Sequence, residues 1–214
     1  STSTIDFLEN GCCASVLFIP GLQGSRLYRK QIFENRLWEP NIDGDVEKLY
    51  MNSLGKSINT VIYAKDILSR VEVAGLGLNK FSYYHNFLLS LEKLKSENLL
   101  QEYRTFPYDW RYSPEEIVTQ SLIDQLEQLS RNSINGRVTI VAHSYGGLVT
   151  KVLLKKLKST KRSHLVDKVV LVAVPETGTP VALFEALHGG NQSIMKGIVQ
   201  KTSTAMNFAL NMPS

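Results

Sequence analysis

The 214-residue chain suits one domain with a buried core and leaves little room for a tandem of two domains. Its 43% hydrophobic and 21% charged residues exclude a disordered tail, a collagen-like fibre and a coiled coil. A net charge of +4, without an arginine-rich stripe between aromatics, argues against nucleic acid as a partner and leaves contact with anionic surfaces open.

The beginning of the chain shows no targeting or disulfide signal. Residues 1–10 lack a basic start and an apolar core, so a signal peptide is either absent or already removed. Cys12 and Cys13 are adjacent and could close only a strained ring, so we expect no disulfide framework.

Apolar stretches such as residues 168–174 are well under the roughly 18 residues that a bilayer span needs. We therefore expect no transmembrane segment, and the compartment stays unknown.

The first predicted element is a strand over residues 16–19, which opens into a glycine-containing loop at residues 20–24. Residues 30–80 follow as a long segment rich in Asn and Gly, and segments of that length are usually functional lids or small subdomains. Trp38 within this segment fits either a packing role or a contact with a membrane. We interpret residues 30–80 as an insertion into the fold.

Three helices are predicted from apolar residues spaced three or four apart. The aligned residues are Phe87, Leu91 and Leu94 in the first helix, Val118, Leu122, Leu126 and Leu129 in the second, and Val149, Leu153 and Leu157 in the third. The second helix has a start signal, because Ser113 can cap it and Glu116 completes a capping box behind Pro114.

Further apolar runs over residues 103–106, 138–142 and 169–174 alternate with these helices. Together with residues 16–19 they predict strands that are buried on both faces. Strands that alternate with helices favour right-handed crossovers, so we expect the α/β class, with a mostly parallel sheet flanked by helices.

The chemical signal is strongest at residues 138–147, where the predicted strand ends in AHSYG and a helix follows at once. This pattern is typical of the nucleophile elbow of α/β-hydrolases, with Ala142 in place of the first glycine. The sharp reversal crowds its neighbours, and Ala142 and Gly146 leave the space that it needs. The turn is expected to expose the Ser144 hydroxyl and to put the Tyr145 backbone N–H where an oxyanion would form.

The elbow at residues 138–147 and the loop after the first strand each have a purely structural interpretation as well. Ser144 could cap a helix after a buried strand, and residues 16–25 could form an ordinary strand and turn. In hydrolases of this class, the loop after that strand supplies the second oxyanion donor, and Leu22 stands at that position.

Four segments occur in the order typical of the lecithin:cholesterol acyltransferase family, which the chain resembles over nearly its whole length. They are IPGLQGSRL at residues 19–27, FPYDWR at 106–111, the elbow at 142–146 and VPETGTP at 174–180. The most distinctive of them is the PYDWR run, and residues 207–214 also resemble the family. Its members include lysosomal phospholipase A2 and phospholipid:diacylglycerol acyltransferases, which move a fatty acyl group from a phospholipid through an acyl-serine.

The resemblance implies an α/β-hydrolase core within residues 1–180. Residues 30–80 would be a lid and membrane-contacting insertion, and residues 181–214 would begin a cap. Expected partners are therefore a phospholipid or another lipid ester and, peripherally, a membrane surface.

The resemblance also implies roles for three residues. Ser144 is the expected nucleophile, and Leu22 and Tyr145 are the expected donors of backbone N–H groups to the oxyanion. The expected reaction is acyl transfer from a phospholipid ester, through an acyl-serine, to an alcohol or to water. No metal-ligand spacing and no phosphate-binding glycine loop occurs in the sequence, so we expect no cofactor and no metal.

No convincing base and acid for Ser144 can be found in the sequence. The candidates downstream are His164, Asp167, Glu176, Glu185 and His188. None of them holds a position that fits the order of nucleophile, acid and histidine after successive strands. We expect an N-terminal part of a longer protein, with a sheet incomplete at its C-terminus and the triad Asp and His beyond residue 214. Such a fragment is expected to be inactive alone.

The remaining charged groups have structural interpretations. We expect His143 to turn away from Ser144 and pack beside the sheet, and Asp109 and Arg111 to form an ion-paired latch. The basic residues of 151–162 fit a solvated helix face or a contact with anionic lipid. Two alternative functions stay open: another serine lipase, esterase or thioesterase of the same fold, and a non-catalytic binding protein with an α/β-hydrolase-like sheet.

Overall fold

A computed structural model describes residues 14–40, 44–59, 61–72 and 80–180. The predictions for Cys12 and Cys13 and for residues 181–214 lie outside the described residues. The described residues form two compact units. The first unit holds residues 14–22, 84–106 and 114–174, and the second holds the remaining described segments.

The strands, in chain order, are β1 Ser15–Ile19, β2 Ser25–Lys30, β3 Glu34–Trp38, β4 Ile62–Ile67, β5 Arg70–Glu72, β6 Lys80–Ser82, β7 Tyr103–Thr105, β8 Val138–His143 and β9 Val166–Val172. The helices are α1 His85–Ser96, α2 Pro114–Ile117, α3 Gln120–Arg131 and α4 Tyr145–Ser159. Short 3₁₀ turns occur at Glu47–Leu49 and Ser163–Leu165.

The first unit is built on a parallel sheet, which among the described residues has four strands in the order β7-β1-β8-β9. Helices α3 and α4 both contact β1 and β8. The predicted α/β class, with a parallel sheet and flanking helices, is confirmed. Because the strands are parallel, the ends of β1 and β8 meet at one edge of the sheet, where Ile19 pairs with Ala142.

Burial differs across this sheet. All five residues of β1 are buried, as predicted for a strand covered on both faces. In β9, by contrast, Val170, Leu171 and Val172 are all exposed, so the prediction of burial on both faces is wrong for this strand. Within the described part of the chain, β9 lies at the end of the strand order and pairs only with β8.

The helix α4 agrees with its prediction, since Val149, Leu153 and Leu157 are fully buried. The single helix predicted from Ser113 is instead two helices, because Thr119 is extended (φ −87°, ψ 172°) and separates α2 from α3. Three consecutive β-branched residues, 117–119, account for this break, since their side chains crowd the preceding helical turn.

The buried face of α1 differs in part from the predicted one. Leu91 is buried with Val16 and Leu100, and Phe87 and Leu88 pack against them. Leu94, predicted on the same face, is exposed. Leu94 is the third residue from the end of α1 and is not part of this cluster.

The second unit contains an antiparallel sheet in the order β3-β2-β4 and a hairpin of β5 and β6. Trp38 is buried, and its ring meets that of Trp110 edge to face at 5.2 Å. Trp38 also donates its Nε1–H to the Gln23 carbonyl oxygen (2.9 Å). Trp38 is therefore a packing residue, one of the two roles that the sequence allowed.

The predicted ion pair of Asp109 and Arg111 is confirmed in the second unit. Arg111 is fully buried, and its Nε and Nη2 donate to the two oxygens of Asp109 at 2.8 and 2.6 Å. Its Nη1 donates to the Leu49 carbonyl and the Ser57 hydroxyl. We call these four residues the Arg111 cluster. The donors of the guanidinium point at oxygen acceptors inside the unit, so the cluster holds its loops together.

Candidate active site

The turn between β8 and α4 has an unusual backbone. Ser144 follows the last residue of β8 and precedes the first residue of α4, and its φ and ψ are 51° and −125°. A side-chain-bearing residue in this region costs about 1–3 kcal/mol and persists only where its surroundings enforce it. Here the Ser144 N–H donates to the Val172 carbonyl, and its carbonyl accepts from the Gly147 N–H, both at 2.9 Å.

The Ser144 side chain does not cap the helix that follows it. Although Ser144 occupies the N-cap position of α4, its hydroxyl makes no capping hydrogen bond. The interpretation of Ser144 as a helix cap is therefore wrong. A strained serine whose hydroxyl does not serve the helix is available to a ligand.

Small residues make room for this turn. A Cβ on Gly146 would overlap the carbonyl oxygens of Ile19 and Pro20, and a Cβ on Gly147 would overlap the Val174 side chain. Ala142 is fully buried. The predicted spatial role of Gly146 is thus confirmed, and Gly147 has the same role although the sequence interpretation did not include it.

The loop after β1 lies against this turn. A Cβ built on Gly21 would lie 2.9 Å from His143 Nδ1 and 3.0 Å from Ser144 Cβ, so the two backbones approach closely. Leu22 follows, and its side chain is 44% exposed. Among the described residues, no acceptor bonds the Leu22 N–H.

Tyr145 begins α4, so its backbone N–H lies at the positive end of the helix dipole. Its phenol is half-buried. Burial, with the negative charges of Glu115 and Glu116, raises the pKa of Tyr145 to about 12. The phenol is therefore neutral at ordinary pH and adds no negative charge beside Ser144.

His143 contacts a residue that the sequence did not single out. Its Nδ1 lies 2.9 Å from the Tyr84 hydroxyl, and the two rings meet edge to face at 5.7 Å. Burial lowers the pKa of His143 below its ordinary value of 6.5, so the imidazole is neutral at pH 7. The Tyr84 hydroxyl also accepts the Gly21 N–H (2.9 Å). Tyr84 is 63 residues from Gly21 and 59 residues from His143 in the sequence, so no local pattern reveals these bonds.

Two other predicted candidates for the base and the acid, His164 and Asp167, are not brought to Ser144. His164 lies in the 3₁₀ turn Ser163–Leu165, and Asp167 is the second residue of β9, whose first residue Val166 pairs with Val138 at the opposite end of β8 from Ser144. At the usual rise per residue of a strand, Val138 lies roughly 16 Å from His143, the neighbour of Ser144. Glu176 belongs to the second unit. Glu185 and His188 lie outside the described residues. Within the part of the chain that the structure covers, no hydrogen bond reaches the Ser144 hydroxyl.

The described residues lack two further features. They hold no group of three His, Cys, Asp or Glu side chains arranged to bind a metal ion. None of their helices combines the length and apolar character that crossing a membrane requires.

Comparison with known proteins gives the same family that the sequence segments resemble. A family model described as Lecithin:cholesterol acyltransferase matches residues 62–210. The lysosomal phospholipase A and acyltransferase of Canis lupus familiaris is 27% identical to the chain over 121 residues. That match covers 53% of the chain and 28% of the relative, so the chain spans only part of the length of this curated protein. Because the family model covers more than half of the chain, the chain belongs to the lecithin:cholesterol acyltransferase family.

Proposed function

We propose that this protein transfers a fatty acyl group from a phospholipid ester to an alcohol or to water, with Ser144 as its nucleophile. The observation that carries the proposal is the strained Ser144, whose hydroxyl does not cap α4 and whose backbone is fixed on both sides. The family, and the printed name of the canine relative, support a lipid ester as the substrate.

The proposed chemistry has two steps. The Ser144 oxygen attacks the ester carbonyl carbon while a base takes the hydroxyl proton. The tetrahedral oxyanion then collapses, the base gives that proton to the leaving alcohol, and an acyl-serine remains. A second alcohol or a water attacks the acyl-serine and passes its proton through the base to the Ser144 oxygen, so the acyl group leaves as a new ester or a fatty acid. Among the described residues no hydrogen bond joins the Ser144 hydroxyl to a base, so the proposal requires a base from elsewhere.

The backbone N–H groups of Leu22 and Tyr145 are the proposed oxyanion donors. The Leu22 N–H has no acceptor among the described residues, and a Cβ on the neighbouring Gly21 would lie 3.0 Å from Ser144 Cβ. The Tyr145 N–H has the positive end of α4 behind it. Removing one such donor costs about 10²–10³ in kcat in other acyl-transfer enzymes.

The test combines covalent labelling with product analysis. In its full-length form, which is used for every activity measurement below, the protein should react with a fluorophosphonate probe and release fatty acid from phosphatidylcholine vesicles, and Ser144→Ala should abolish both. Ser159→Ala is the matched control, because Ser159 lies at the other end of α4 and donates to the Lys156 carbonyl. Labelling that persists in Ser144→Ala would refute the proposal, whereas labelling without phospholipid turnover would favour another ester substrate.

Peripheral contact with a membrane is proposed for the hairpin of β2 and β3. At its tip, Ile32 is 93% and Phe33 78% exposed, and large apolar side chains that protrude together mark an interaction surface. The Ile32→Ser/Phe33→Ser variant should bind phosphatidylcholine vesicles more weakly in a sedimentation assay. Ile134→Ser, an equally polar change at an exposed residue of the first unit, should bind as the wild type does.

A further inference from the structure

The Tyr84 hydroxyl joins three separate segments of the first unit. It accepts the N–H of Gly21 in the loop after β1, and it is hydrogen-bonded to Nδ1 of His143 at the end of β8, each at 2.9 Å. Tyr84 itself immediately precedes α1. A single phenol oxygen therefore connects the start of α1, the loop that carries Leu22 and the turn that carries Ser144.

The ring of Tyr84 is held independently of its hydroxyl. It meets the Phe18 ring edge to face at 4.9 Å, and Phe18 in turn packs on Phe87 at 4.8 Å. Phe18 belongs to β1 and is buried, so the position of the phenol is set by the sheet and by α1. The hydroxyl is thus a fixed point for the loop.

The hydrogen bonds at this oxygen form a chain. The Gly21 N–H can only donate, so the oxygen of Tyr84 accepts from it and keeps its own proton for Nδ1 of His143. A neutral imidazole can accept at Nδ1 while it carries its proton on Nε2. Both bonds are satisfied together when His143 is in that form.

The bond to Gly21 decides which amide of the loop faces a ligand. Because the Gly21 N–H is taken by Tyr84, the next amide, that of Leu22, is the one without an acceptor among the described residues. Gly21 also lies close to Ser144, since a Cβ built on it would be 3.0 Å from Ser144 Cβ. Small movements of Gly21 would therefore change both the direction of the Leu22 N–H and its distance from the serine.

We propose that Tyr84 is a positioning residue, which holds the loop of Gly21 and Leu22 against the Ser144 turn so that the Leu22 N–H points at the developing oxyanion. This inference rests on the proposed function. A donor that is fixed beforehand stabilises the transition state more than the substrate, so its loss lowers kcat rather than raising KM.

The first test removes the hydroxyl oxygen of Tyr84 and keeps its ring. Tyr84→Phe keeps the ring packing on Phe18, and it should lower kcat on phosphatidylcholine vesicles about 10- to 100-fold with KM changed less than threefold. The matched control is Tyr103→Phe, since the Tyr103 hydroxyl donates to Glu92 on the same unit and touches neither Gly21 nor His143. Its kcat should equal that of the wild type.

A second measurement needs no catalysis. Hydrogen exchange should be faster at the Gly21 amide in Tyr84→Phe and unchanged there in Tyr103→Phe. Unchanged exchange at Gly21 would overturn the proposal, and so would faster exchange with a wild-type kcat. Should the wild type neither turn over lipid nor label at Ser144, the proposed function fails, and the exchange result still decides whether Tyr84 anchors the loop.

A second variant moves the loop while the phenol stays intact. Gly21→Ala puts a methyl group against His143 Nδ1 and Ser144 Cβ, at 2.9 and 3.0 Å, and it should lower kcat with a similarly small change in KM. If Tyr84→Phe folds poorly, this variant keeps the inference testable. A wild-type kcat in Gly21→Ala would contradict a role for the position of this loop.

Discussion

The Ser144 turn and the Arg111 cluster are both constrained polar regions, and they differ in how their polar groups are satisfied. Arg111 is fully buried, and its guanidinium donates to oxygens of Asp109, Leu49 and Ser57. Ser144 is only partly buried, its backbone is strained, and its hydroxyl does not cap α4. A polar group whose bonds are all made inside the protein stabilises the fold, whereas one held in place without a partner is available for chemistry.

The largest expected effect separates the two regions by activity. Ser144→Ala should lower phospholipid turnover by at least about 10³-fold, because the nucleophile is gone and only binding and the oxyanion donors remain. The free energy of unfolding should stay within about 0.5 kcal/mol of the wild type. Turnover assays and urea unfolding on the same preparation check both values. A variant that lost stability as well as activity would make Ser144 a structural residue like Arg111.

The Arg111 cluster should respond in the opposite way. Arg111→Met leaves the Asp109 carboxylate without its partner and should lower the free energy of unfolding by about 3–5 kcal/mol. Arg131→Met is the matched control, since Arg131 is largely exposed and its distance to Glu127 is 4.0 Å. Arg131→Met should lower the free energy of unfolding by less than about 1 kcal/mol. Equal stabilities of the two variants would contradict the structural role of the cluster.

The crowding around the Ser144 turn can be tested with two neighbouring glycines. Gly147→Ala should destabilise the protein by about 1–3 kcal/mol, because its new methyl group overlaps the Val174 side chain. Truncation in the double variant Gly147→Ala/Val174→Ala should recover part of that loss. Gly146→Ala meets the carbonyl oxygens of Ile19 and Pro20, so Val174→Ala should not rescue it. Rescue of both variants, or of neither, in urea unfolding would show that the crowding has another source.

Local sequence patterns predicted the parts of the first unit that depend on neighbouring residues. The strand β8, the turn at Ser144 and the helix α4 could be predicted because a short apolar run, apolar residues at helical spacing and small residues are local properties, although the residues of β8 alternate between buried and partly buried. The break at Thr119 was missed although its signal, three β-branched residues, is present in the sequence.

Other features depend on contacts that are distant in sequence. Among the described strands β9 lies at the end of the order, with Val170, Leu171 and Val172 exposed, and its apolar residues alone do not specify that place. The bond between Tyr84 and Gly21 requires both the sheet and α1 to be in place, so no single segment could predict it.

The strain at Ser144 has a smaller effect that sharpens the comparison. Ser144→Gly should raise the free energy of unfolding by about 1 kcal/mol. Glycine adopts a positive φ without a Cβ clash, and this gain is partly offset because glycine loses more chain entropy on folding. Ser144→Ala keeps the strain and should show no such gain. Calorimetry of the two variants provides the test. A glycine variant less stable than the alanine variant would mean that the turn stores no strain.

The smallest expected effect is a dependence of stability on pH that arises at His143. Burial lowers the pKa of His143 below 6.5, so below that pH the unfolded chain takes up a proton that the folded chain does not, and stability falls as the pH decreases from about 6.5. Protonation would also remove the acceptor for the Tyr84 hydroxyl. The loss of unfolding free energy between pH 7.5 and pH 5.5 should therefore be smaller in His143→Gln than in the wild type. If His143→Gln lost as much stability as the wild type over that range, the imidazole at the Ser144 turn would not be the group that titrates.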